Sequence, residues 1–122
     1  MTLEYSEAHR WQHFDFYVSG GADGAFKETL NPGKIFKINE VRLHLSVTHA
    51  SVEDFTIRLS SLKGTAFSQC FISQAMNGVM DYHWLPENPL IFCSDDHVVF
   101  SLFVKSATNI YGLNVKGWSV ID

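Results

Sequence analysis

Val41-Arg42-Leu43-His44-Leu45-Ser46-Val47 and Phe55-Thr56-Ile57-Arg58-Leu59-Ser60 are apolar at every second residue. Successive side chains of a strand point to opposite faces. The alternation therefore predicts two half-buried strands, each with one face in a core and one in water or against a partner. Upstream, Trp11-Gln12-His13-Phe14-Asp15-Phe16-Tyr17-Val18 places Phe14, Phe16 and Val18 on one side, and Ser19-Gly20-Gly21-Ala22-Asp23-Gly24 ends it in a connection. Ala25 to Leu30 reads equally as strand or loop. Asn31-Pro32-Gly33 is a turn, because proline presets φ and glycine accepts a positive one, so the strand holding Val41 starts near Phe36. Thr48 to Asp54 is too long for a tight hairpin and suits a wide hairpin or a crossing from one sheet to another.

Downstream, Lys63-Gly64 and Asn77-Gly78 mark turns on either side of Ala66 to Ser73, a strand apolar on both parities whose inward face the residues do not choose. Val79 to Leu85 follows. Pro86 and Pro89 bracket a loop and confine Leu90-Ile91-Phe92 to a short edge piece. Ser94-Asp95-Asp96 then turns the chain into His97-Val98-Val99-Phe100-Ser101-Leu102-Phe103-Val104, apolar at nearly every position, as expected of a strand covered on both faces. In the last strand Tyr111, Leu113 and Val115 share one parity and Trp118 and Val120 the other. A β-bulge at Gly117 would restore the phase. With about eight strands, no helical period and no internal repeat, the chain is predicted to be all-β. The expected form is a single antiparallel two-sheet β-sandwich over residues 1–122, the jelly roll being one variant; the strand order is not legible from spacing.

Composition sets outer limits. A chain of 122 residues suits one domain, and 46% apolar with 18% charged residues is the make-up of a packed core. The net charge of −4 gives no electrostatic reason to approach phosphate backbones or anionic lipid, so neither nucleic acid nor a membrane is expected as partner. Met1 to Glu7 lacks the basic start and apolar run of a secretory signal, which points to synthesis in a cytoplasm. Cys70 and Cys93 are too few for a disulfide framework and are expected as buried thiols, a Cys70–Cys93 disulfide being the alternative.

No chemistry-bearing motif emerges. His9 and His13 have i, i+4 spacing but no glutamate beside His9 and no helix to carry them, so they read as surface histidines. A cupin-type metal site fails because Arg42 and Ser46 stand where its other ligands would flank His44. There is no G-x-S-x-G elbow, and the Gly20 to Gly24 run lacks the Lys-Ser/Thr ending of a phosphate cradle. Asp23, Asp95 and Asp96 read as solvated turn acids. The expectation is a non-enzyme with no metal and no cofactor. Arg42, His44 and Ser46 would join Thr56, Arg58 and Ser60 in one recognition face if their strands pair, against the plain alternative of a hydrated sheet surface. Trp11, Tyr17, Tyr82, Trp84 and Trp118 offer rings that stack on sugars if exposed, with core packing favoured for Trp118 and Trp11.

Glu40-Val41-Arg42-Leu43-His44-Leu45, Asp54-Phe55-Thr56, Met76-Asn77-Gly78-Val79 and the Pro86 to Pro89 loop lead to an acidic turn and an apolar strand. Over roughly residues 35 to 115, this series resembles a group of small virion proteins of tailed bacteriophages. The chain departs from that pattern at Asp95-Asp96, where glycine and aspartate are expected. The resemblance implies a non-enzymatic structural subunit of the virion: a capsid decoration or cement protein, or a head or tail accessory protein. It also implies capsid or tail subunits as partners and a homo-oligomer, a trimer being favoured; the apolar strand Val98 to Val104 is suited to line the subunit interface, with Val99 and Phe103 as its candidate residues. A carbohydrate- or host-surface-binding module is the alternative.

Overall fold

The computed structural model describes residues 10–20, 26–46, 54–61, 69–102 and 110–121. They form nine strands: β1 Trp11–Gly20, β2 Phe26–Leu30, β3 Phe36–Leu45, β4 Asp54–Ser61, β5 Gln69–Ala75, β6 Asp81–Trp84, β7 Leu90–Phe92, β8 Asp96–Leu102 and β9 Tyr111–Val120. Sheet A runs β1-β9-β3-β6, with β7 also pairing β3, and sheet B runs β2-β8-β4-β5. Every pairing is antiparallel. Because β6 and β7 lie along the same edge of β3, they act as one interrupted strand. Taken so, the chain folds as a ladder of the first strand with the last, the second with the next to last, and so inward, wrapped into two sheets. That order is the jelly roll.

The expected all-β sandwich is therefore what the chain forms, with one strand more than expected because Phe26–Leu30 pairs with β8. The expected strand Ala66 to Ser73 is described from Gln69 and extends to Ala75; the turns at Gly21 to Gly24 and Lys63-Gly64 lie outside the described residues. The connection after Leu45 crosses between sheets, since β3 belongs to sheet A and β4 to sheet B. At the two glycine turns, Gly33 and Gly78 take φ of 75° and 76°. Asn31 Oδ1 accepts a 2.7 Å bond from the Gly33 amide, and Met76 O accepts one of 2.9 Å from the Val79 amide.

The core follows the alternation. Val41, Leu43 and Leu45 of β3 face Phe55 and Ile57 of β4 across the sandwich, and all are fully buried. Two runs of aromatic rings tie the sheets together. Tyr111 stacks on Phe26 at 4.2 Å, and Phe26, Phe55 and Tyr82 continue at 6.0 Å spacings. Phe36, Phe92 and Phe71 follow one another at 4.9 and 5.7 Å. Each such pair adds about 0.5–1.5 kcal/mol beyond its buried area.

Several sequence expectations need correction. The phase change lies not in β9 but in β3: Ile38 pairs with Gly117 and Glu40 with Lys116, which leaves Asn39 as the extra residue. Phe36 and Ile38 on one parity, then Val41 and Leu43 on the other, were its signal. Gly117 serves a different end, since a side chain there would collide with the Lys37 carbonyl and the Phe14 ring. Trp118 stays on the outer face, exposed, with His13 edge-on at 5.0 Å. Cys70 and Cys93 are thiols but exposed ones, because Cys70 lies on edge strand β5 and Cys93 in the turn after β7. Asp96 is buried rather than solvated: its carboxylate accepts a 2.9 Å bond from the Cys93 amide and closes the turn into β8.

Candidate functional site

The residues expected to form one recognition face occupy two. Arg42 and His44 of β3, with Ser46 just beyond its end, lie on the outside of sheet A, whereas Thr56, Arg58 and Ser60 project from β4 on the outside of sheet B, with the core between them. The strands never pair, so the combined face does not exist. Val99, expected at a subunit interface, is half-buried in the outer layer of sheet B and paired with Arg58. Its strand is covered on one face by the core and on the other only by neighbouring side chains. Phe103 and His9 lie outside the described residues.

Register places the outer side chains of sheet A in rows. Pairing aligns His13, Trp118, Lys37 and Ile91 in the first row, and Asp15, Lys116 and Glu40 in the second. The third row holds Tyr17, Asn114, Arg42 and His83, and the fourth Ser19, Gly112, His44 and Asp81. Within this lattice several charged groups have partners. Arg42 Nη2 bonds Asp81 Oδ2 at 3.1 Å, His83 Nε2 meets Glu40 Oε2 at 2.6 Å, and Asn114 Nδ2 donates to Asp15 Oδ1 at 2.7 Å. Lys37 Nζ sits 4.6 Å above the Trp11 ring. The hydrogen bond from Arg42 holds the Asp81 carboxyl below the usual carboxylate range, and the same bond raises the Arg42 guanidinium. Exposed pairs of this kind contribute little to stability, so their effect is to fix side-chain positions on the surface.

Gly112 leaves a gap in the fourth row. The gap is a hollow of about 430 Å³ walled by Tyr17, Ser19, Arg42, His44 and Asn114. The Arg42 charge facing it is already paired with Asp81. On the other side, sheet B presents small hydroxyls around a wider hollow of about 800 Å³ lined by Lys27, Thr56, Arg58, Val99 and Ser101. There Thr56 and Ser101 hydroxyls meet at 2.8 Å, and Ser73 Oγ donates to Asp54 Oδ2 at 2.6 Å. Among the described residues no group of three or more His, Cys, Asp or Glu side chains is placed to hold a metal ion.

The two faces differ in one respect that the sequence did not disclose. The large apolar side chains exposed among the described residues are Tyr17, Met80, Leu85, Leu90, Ile91, Ile110, Trp118 and Ile121. Tyr17, Ile91 and Trp118 stand in the outer rows of sheet A, Leu90 lies at its edge opposite Ile38, and Met80, Leu85, Ile110 and Ile121 adjoin its strands. Fold and surface together define a jelly-roll sandwich with one hydroxyl-rich outer face and one face of mixed apolar and charged character.

No protein-family model matches this chain, and no curated protein sequence does. Solved structures share its general form. The Drosophila NLP core, whose structure addresses pentamer formation and histone binding, is 12% identical at a TM-score of 0.47, over 91% of this chain and 99% of that one. The nucleoplasmin-like N-terminal domain of Drosophila FKBP39 is 14% identical at 0.45, over 90% and 92%. A chain of infectious bursal disease virus, Gx strain, is 10% identical at 0.37, over 93% of this chain and 37% of that one. The expected tailed-phage role is corrected by these neighbours. The first two are nucleoplasmin-like domains, and the viral one is not a phage. The virion subunit with its capsid or tail partners is set aside, as is the glycan-binding alternative, and a trimer gains no support.

Proposed function

We propose that this chain works without catalysis, as a homo-oligomeric building block whose copies pack through the outer face of sheet A. The observation that carries the reading is that three large apolar side chains stand exposed in the outer rows of that sheet, Tyr17 at 62%, Ile91 at 54% and Trp118 at 36%. Apolar surface gains roughly 25 cal/mol for each Å² removed from water, and a face that interleaves such residues with both signs of charge can match its own copy. Strands of ten residues, such as β1, β3 and β9, in a sheet four strands wide offer a face of roughly 600 Å². That is the order of the ~800 Å² per partner that stable pairs bury.

Light scattering across a concentration range tests this. The expected mass is a multiple of 13.8 kDa. Ile91→Glu with Trp118→Glu should lower it without altering the circular dichroism, whereas Arg58→Glu on the opposite face should leave it unchanged. A wild-type monomer at all concentrations, or a mass indifferent to the sheet A changes, would overturn the proposal.

A further inference from the structure

A sheet has edges as well as faces, and three of the four edges here are blunted in recognisable ways. The β6–β7 edge is split by the Leu85 to Pro89 segment with its two prolines. Strand β5 carries an extra residue, Phe71, where its register with β4 shifts between Ile57 and Arg58. Strand β2 is five residues long and bears Lys27 and Glu28. Breaks, bulges, shortness and charge are the devices that stop edge strands from pairing with other chains.

Strand β1 has no break, bulge or shortening, and Asp15 is the one Asp, Glu, Lys or Arg it carries. It is ten residues long, contains no proline and no lysine, and pairs with β9 in unbroken register from Trp11 to Gly20. Among the described residues nothing pairs with its other side. The Ile121 amide donates to Arg10 O at 2.9 Å, and this sets the hydrogen-bond phase. Even-numbered residues of β1 turn their backbone groups toward β9, and Trp11, His13, Asp15, Tyr17 and Ser19 turn theirs outward.

We infer that β1 pairs antiparallel with β1 of a second copy about a two-fold axis through Phe14. Pairing must join odd residues to odd residues, since those carry the outward donors and acceptors. A centre at Asp15 would oppose two aspartates. A centre at Phe14 sets His13 against Asp15 of the other copy, Trp11 against Tyr17, and Phe14 against itself, so charge meets a complementary group and ring meets ring. The resulting sheet is continuous across two copies and keeps both outer faces on the same side. This contact uses backbone groups at the edge and is separate from face packing. Its axis stands perpendicular to the sheet, whereas a two-fold relating two packed faces lies parallel to it, so both contacts can coexist in one closed assembly.

The test is cross-linking by mixture, in a Cys70→Ser/Cys93→Ser background that removes the exposed native thiols. His13→Cys and Asp15→Cys proteins, both changed at exposed positions, are mixed and oxidised. Opposed residues of a hydrogen-bonded pair have Cα atoms about 5.5 Å apart, within disulfide range. A cross-linked dimer from the mixture, with little from either protein alone, is the expected result. As a second readout, amide exchange at Trp11, His13, Asp15 and Tyr17 should slow as concentration rises. Dimer from Asp15→Cys alone, or no cross-link from the mixture, would overturn the proposed pairing. A protein that stays oligomeric but fails to cross-link retains face packing and loses the edge contact, and one that cross-links while indifferent to Ile91→Glu/Trp118→Glu does the reverse.

Discussion

Gly117 of β9 lies directly against the backbone carbonyl of Lys37 on β3, at the point where Asn39 interrupts the register between the two strands. Only a residue without a side chain leaves room there for both the carbonyl and the Phe14 ring.

Gly117→Ala should therefore destabilise the fold by about 3 kcal/mol or more, because the obstacle is backbone that cannot rotate away. Gly33→Ala is the control. At Gly33 a methyl group meets nothing within 4 Å, and the cost is the positive φ of 75° alone, about 1–2 kcal/mol. Urea denaturation of both variants measures the difference, and equal losses would refute the close-approach argument.

Leu43 and Ile57 are fully buried on opposite sheets. Replacing either by alanine should cost about 2–5 kcal/mol, the lost transfer energy plus the cavity left behind. Midpoints shifted by less than 1 kcal/mol at both sites would mean that the two alternating strands do not supply the core.

Tyr111 gives a pH dependence. Its hydroxyl donates to Glu28 Oε2 at 2.6 Å across the sandwich edge, and burial, reinforced by Glu28, pushes its pKa up to about 12. An unfolded tyrosine titrates near ~10, so the stabilisation is complete below that pH and is lost as pH rises toward 12. Burial raises Tyr82 in the same direction. Denaturation midpoints should fall between about pH 10 and 12. Tyr111→Phe should cost about 1 kcal/mol at neutral pH and flatten much of that fall.

On the acid side, Asp81 is held below its ordinary range by the bond from Arg42. Its contribution is present above the unfolded value of ~3.9 and is lost as pH falls through the lower folded one. Carboxyl chemical shifts followed by NMR should show Asp81 returning toward the ordinary range in Arg42→Gln. An unmoved titration would show that the ion pair is not formed in solution.

Local pattern determined much of this molecule. The alternation of Val41, Leu43 and Leu45 and of Phe55 and Ile57 placed two strands and their buried faces, because side-chain direction in a strand depends only on parity. Asn31-Pro32-Gly33 and Asn77-Gly78 placed turns, because φ preference is a property of the residue itself. What tertiary structure alone decided was which strands became neighbours. Arg42 and Arg58 have the same local signature, yet they ended on opposite sides of the core because β3 joined β9 while β4 joined β8. The same pairing choices left β1 at an open edge, set Cys70 and Cys93 at the surface, and drew Asp96 into a buried turn. Each of these depends on contacts between residues far apart in the chain, and no window of sequence contains both partners.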